Sequence, residues 1–114
     1  MPSHRIQQIN KLILELLNAQ MLREIDLPAG SFVTITKVDT TRDLGLARVT
    51  MSVMPADKQA PIHVYMNRQA GHFQRVLGRN MKLYKVPKLT FTLDTSGSHV
   101  EHLDQLIDKI HNEQ

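Results

Sequence analysis

The sequence predicts an α+β domain, with one three-stranded sheet and helices packed on it. Three observations support this. Apolar residues recur at helical spacing near the start of the chain. Two segments rich in alternating or β-branched residues then flank a polar turn. A helical region interrupted by a glycine follows, leading into a third alternating segment and a last amphipathic stretch. At 114 residues the chain suits one domain, residues 1–114, large enough to bury a core without staples.

The elements follow in order. Ile6, Ile9, Ile13, Leu16, Leu17 and Met21 make a helical stripe from Ser3 to about Arg23. Ser3 suits the N-cap, and Leu27-Pro28-Ala29-Gly30 ends the helix. Residues 31–39 (SFVTITKVD) predict a strand. Thr40-Thr41-Arg42-Asp43 is a polar turn. Residues 44–54 alternate, with Ala47, Val49, Met51 and Val53 on one face and Arg48, Thr50 and Ser52 on the other. The two strands form an antiparallel hairpin. Residues 54–60 predict a loop, and Pro61 suits the first turn of a helix. Ile62, Tyr65, Met66, Phe73, Val76 and Leu77 keep helical spacing. Gly71 lies inside that pattern, where glycine costs about 1 kcal/mol against alanine. Two helices joined near Ala70-Gly71 are therefore expected, with Gly78 capping the second. Val86-Pro87 breaks the helix. Leu89, Phe91 and Leu93 alternate with Thr90 and Thr92 as a third strand. Ser98 and Glu101 form a capping box for a final helix carrying Val100, Leu103, Leu106, Ile107 and Ile110.

Composition narrows the function. The chain is 41% hydrophobic and 22% charged, which suits a globular fold. It has no cysteine, so disulfides and thiolate metal sites are excluded. A polar start and the lack of any long apolar run predict a cytoplasmic protein without a membrane span. Net charge is only +3, with a pI of about 9.5. Its distribution is uneven. Between Met66 and Lys88 lie Arg68, Arg75, Arg79, Lys82, Lys85 and Lys88, with no Asp or Glu. From Asp94 onward, Asp94, Glu101, Asp104, Asp108 and Glu113 face only Lys109. Such asymmetry points to a surface for a polyanion, although a solvated basic helix face gives the same pattern.

Signs of chemistry are sparse. His99 and His102 share a helix face, but no third ligand is specified, and surface histidines are the simpler reading. There is no Gly-x-Ser-x-Gly elbow and no glycine-rich phosphate loop. Ser96-Gly97-Ser98 reads as a loop and cap. The six methionines sit mostly at apolar positions and suit a core. Neither an enzyme nor a cofactor is expected.

A kinked helix pair between strands, with basic side chains around a glycine, resembles the KH fold. There a Gly-x-x-Gly loop lets backbone amides approach phosphates. Here the joint reads Arg68-Gln69-Ala70-Gly71-His72, with one glycine. The stretch from Ala70 to Leu83, followed by Val86-Pro87-Lys88-Leu89-Thr90-Phe91 and Asp94, resembles the ribosome-binding factor A family. Leu83, Val86, Pro87, Leu89, Phe91 and Asp94 fall in that family's register. So does the hairpin, Val33-Thr34-Ile35-Thr36-Lys37-Val38 with Asp43-Leu44 and Ala47-Arg48-Val49. The resemblance runs from about Arg5 to Ile110. The family carries Ala-x-Gly at the joint. Gly71 matches it, while Gln69 stands at the alanine position.

The resemblance implies a type II KH-like fold and a small-subunit assembly factor. Its implied partners are the free small ribosomal subunit and its ribosomal RNA, whose late processing it would assist. A monomer is expected. The basic residues suggest a rigid wedge: Gly71 opens the kink, Arg75 and Arg79 share a helix face, and Arg68, Lys82, Lys85 and Lys88 extend the charge. Tyr65, Phe73 and Phe91 suit the core, leaving Tyr84 as the aromatic placed to stack on a base. The competing class is a KH-like adaptor that docks a basic protein through its acidic final helix.

Overall fold

In a computed structural model of the protein, residues 3–23, 27–82 and 85–94 are described. The apolar stripe at the start folds as expected into α1 (His4–Arg23), and Ile6, Ile9, Ile13 and Leu17 are buried. The Ser3 hydroxyl accepts the Ile6 N–H at 3.2 Å, closing the first turn. Gly30, at φ 81°, then turns the chain, with the Ser31 N–H donating to the Pro28 carbonyl.

The hairpin comprises β1 (Phe32–Thr40) and β2 (Leu46–Met54), antiparallel in the register Phe32↔Met54 to Thr40↔Ala47. A register shift between Ile35 and Lys37 marks a bulge. The turn occupies residues 41–45, so β2 begins two residues later than its alternation suggests. Leu44 sits at φ 59°, which ends extended pairing there. Its side chain stays buried.

After a 3₁₀ turn (Ala56–Lys58) come α2 (Gln59–Arg68) and α3 (Ala70–Asn80). Helix α2 starts two residues before Pro61, which still lies in its first turn. The joint falls at Gln69, one residue before Ala70-Gly71. Gln69 has φ −87° and ψ 2°, with its N–H shared between the Tyr65 and Met66 carbonyls. Two expectations are corrected. Gly71 does not open the joint; it lies within α3. Gly78 is not a cap, because α3 runs on to Asn80 and Val86 packs over Gly78. Met81, in extended conformation, ends the helix, and the Asn80 amide donates to the Val76 carbonyl at 2.8 Å.

Strand β3 (Lys88–Leu93) pairs parallel to β2, from Leu46↔Lys88 to Met51↔Leu93. The sheet order is β1-β2-β3. Parallel neighbours require a crossover, and α2 with α3 supply it. The inward residues Ala47, Val49, Met51, Val53, Leu89 and Phe91 join the helices' apolar stripes in one core. At its centre the Phe73 and Phe91 rings meet at 5.5 Å, tilted by 56°. Tyr65 packs at the core's margin. On the other face Thr34, Lys37, Asp39, Arg48 and Thr90 are exposed. The expected capping box, final helix and His99–His102 pair lie outside the described residues.

Both edges of the sheet are held by an asparagine. Asn18 of α1 accepts the Ile35 N–H at 2.9 Å and donates to the Ile35 carbonyl at 3.2 Å. Asn67 of α2 does the same for Phe91, at 2.9 and 3.1 Å. His63 Nε2 also meets the Phe91 carbonyl at 2.7 Å, and since that oxygen only accepts, Nε2 carries the proton. Each amide mimics a neighbouring strand and satisfies a backbone pair that an edge otherwise leaves open. Asn67→Ala is predicted to destabilise the fold by about 1–3 kcal/mol in urea unfolding, because the Phe91 N–H loses its partner. Asn67→Asp, which lacks the donor, should not restore full stability.

Candidate nucleic-acid interface

Each basic residue picked out in the sequence is exposed, and the fold sorts them into two places. Arg68 closes α2, in a last turn where a cation suits the helix dipole. Gly71 lies in the first turn of α3 and is exposed. Arg75 and Arg79 stand one turn apart on α3, on its exposed side; Phe73, Val76 and Leu77 fill the buried side. Lys82 and Lys85 are exposed in the connection to β3, and Lys88 is the first residue of that strand.

That connection is anchored. The Gln74 amide donates to the Val86 carbonyl at 3.2 Å, and Pro87 is fully buried. The Lys88 N–H donates to the Gly45 carbonyl at 3.1 Å, so the start of β3 abuts the β1–β2 turn. Arg79, Lys82, Lys85 and Lys88 thus gather at one end of the sheet. Arg75 stands one turn back, and Gly71 lies at the far end of α3, ~12 Å from Arg79 at 1.5 Å per residue, with Arg68 just before it at the end of α2.

The turn brings one acid to this end. Asp43 accepts from the Thr41 hydroxyl at 2.7 Å and from the Gly45 N–H at 2.9 Å. The Thr41 bond foremost, then the Gly45 N–H and the Lys85 ammonium, hold its carboxyl below the usual carboxylate range. Its charge is therefore spent largely within the turn. Among the described residues the ion pair seen is Lys37–Asp39 at 3.4 Å, on the open sheet face. Among the described residues none of the six cations forms an ion pair, although Lys85 acts on Asp43 through its charge.

Two further arginines, Arg42 of the turn and Arg5 of α1, reach the same end and line one hollow. The sequence reading did not single them out. Tyr84 and the acidic C-terminal residues lie outside the described residues. Among the described residues no three His, Asp or Glu side chains cluster to hold a metal, and no helix is long and apolar enough to cross a membrane. Guanidinium and ammonium groups are the side-chain types suited to phosphate.

The model of one family, ribosome-binding factor A, matches residues 5–107. The chain belongs to the ribosome-binding factor A family. A ribosome-binding factor A of Desulforamulus reducens is 32% identical over 98% of this chain and 94% of its own length. One of Streptococcus mutans is 31% identical over 94% of each. The solution structure of a Thermotoga maritima protein assigned to ribosome binding factor A superposes with a TM-score of 0.68 at 27% identity, covering 84% of this chain and 92% of that one. The crystal structure of the Thermus thermophilus ribosome-binding factor A gives a TM-score of 0.67 at 15% identity, over 77% of this chain and 94% of that one, and supports the fold. The order helix, strand, strand, helix–break–helix, strand is the family's KH-like fold, as the resemblance implied.

In this member of the ribosome-binding factor A family the break does not need glycine. A Cβ at position 71 would meet only Arg75 Nη1, at 3.9 Å. Gly71→Ala is predicted to leave the fold intact and raise unfolding free energy by up to about 1 kcal/mol. A lower urea midpoint would show that the joint depends on Gly71 after all.

Proposed function

We propose that this protein binds the free small ribosomal subunit through its ribosomal RNA and assists late maturation of that RNA, acting without catalysis and as a monomer in the cytoplasm. The observation that carries this reading is the gathering of Arg79, Lys82, Lys85 and Lys88 at one end of the sheet, continued by Arg75 along α3. Membership of the ribosome-binding factor A family supports it. So does a fold relative: a Thermus thermophilus ribosome binding factor A, fitted into the map of a 30S complex, superposes with a TM-score of 0.61 at 16% identity over 81% of this chain.

The mechanism is positional. Arg75 and Arg79 present planar forks suited to phosphate oxygens, while Lys82, Lys85 and Lys88 act as point charges around them. Gly71, exposed and without a side chain, lets an RNA backbone pass close to the first turn of α3, where Arg68 adds charge. Among the described residues little on this face reads base edges, so shape and phosphate spacing dominate what binds.

With four to six phosphates contacted, affinity for single-stranded ribosomal RNA should fall with salt at a log–log slope of about −3 to −4. A flat response would contradict an ionic interface. Arg75→Glu with Arg79→Glu should abolish co-sedimentation with free small subunits while leaving the circular dichroism spectrum unchanged. Retained co-sedimentation would remove these arginines from the interface. Binding to naked ribosomal RNA is expected, and binding to protein partners alone would favour an adaptor instead.

A further inference from the structure

The hollow that holds Arg5 and Arg42 lies between the first turn of α1 and the β1–β2 turn. It measures about 410 Å³ and is lined by Ser3, Arg5, Ile6, Arg42 and Leu44. Ile6 and Leu44 belong to the buried core and make an apolar floor. Both arginines are exposed.

The turn carrying Arg42 is held in place. The Thr41 N–H donates to the Leu46 carbonyl at 2.8 Å, and the Leu44 N–H donates to the Thr41 carbonyl at 2.9 Å. Leu44 keeps its left-handed backbone while its side chain is anchored in the core. Arg5 precedes Ile6, which is anchored in the same core. The two arginines therefore start from fixed points on either side of one hollow.

Two cations sharing a hollow repel each other unless an anion sits between them. Among the described residues neither Arg5 nor Arg42 forms an ion pair, and the first turn of α1 contains no acid. Asp43, next to Arg42, is engaged by Thr41 and Gly45. Among the described residues no aromatic side chain lines it. The same turn meets the α3–β3 face through the Lys88 N–H, which donates to the Gly45 carbonyl at 3.1 Å, and Lys85 acts on Asp43 through its charge.

We propose that this hollow is a second phosphate-binding site, in which Arg5 and Arg42 grip backbone phosphates of the same RNA that lies on the α3–β3 face. It rests on the reading of that face as an RNA surface. The β1–β2 turn is then a ridge between two phosphate contacts, and the RNA backbone wraps the end of the sheet from α3 to α1.

The test compares three proteins in binding to naked small-subunit ribosomal RNA, from about 50 to 200 mM salt: the unaltered chain, Arg5→Gln/Arg42→Gln and Arg75→Glu/Arg79→Glu. Circular dichroism monitors folding. The glutamine pair should bind roughly tenfold more weakly near physiological salt, with a slope shallower by about 1.4 for two lost contacts and an unchanged spectrum. If the glutamine pair keeps full affinity and slope while the glutamate pair loses binding, the hollow is overturned and the α3 reading stands. Weaker binding at an unchanged slope also overturns it, since the arginines would then act other than through phosphate. If the unaltered chain does not bind the RNA, the reading of the face itself fails, and the hollow with it.

Discussion

The parallel pairing of β3 with β2 places Lys88 beside Leu46, and most of the surface chemistry follows from that register. A parallel neighbour forces the chain to return from the far end of β2, which α2 and α3 do. Helix α3 then runs toward the β1–β2 turn and delivers Arg79, Lys82 and Lys85 there before β3 begins. Had β3 paired antiparallel, its first residue would lie at the opposite end, away from the turn. The charge is concentrated by topology, and no single element carries all of it.

The same register sets how the helices are held. Phe91 is an inward residue of an edge strand, and its ring packs on Phe73 while its backbone is satisfied by Asn67 and His63. Asn18 performs the matching role for β1. The two asparagines dock α1 and α2 against opposite edges, which leaves one sheet face covered and the other exposed. They also remove open backbone pairs from both edges. The open face carries charge of both signs, Lys37, Arg48 and Asp39, and Phe32 is 70% exposed at its corner. It is chemically unlike the positive end.

Much of this architecture was legible because it rests on periodicity. The stripe of α1 and the alternation of β2 and β3 are local patterns, and the residues they mark are buried or, at Leu16, Met21 and Leu93, partly buried against the core. Boundaries followed other forces. Alternation runs back to Leu44, but a positive φ there ends the strand in a turn. In the sequence Gly71 reads as a helix breaker, yet the break is at Gln69, whose bridging backbone geometry needs no glycine. Gly78 looked like a cap, but the helix continues beneath Val86. The basic run from Arg68 to Lys88 was visible as a count of charges, whereas its partition between two ends of α3 was not. Arg5 and Arg42 were missed because they meet only through tertiary packing, and a lone arginine at either position reads as a solvated residue. The edge asparagines left no signal for the same reason.

If the proposed interface is right, RNA lies on the positive end of the sheet and not on its open face. Ultraviolet crosslinking of the protein to free small subunits, with crosslinked peptides mapped by mass spectrometry, tests this most directly. Crosslinks to ribosomal RNA are expected from residues 68–88, the β1–β2 turn and the first turn of α1. Crosslinks concentrated on Thr34, Lys37, Arg48 and Thr90 of the open face would contradict it.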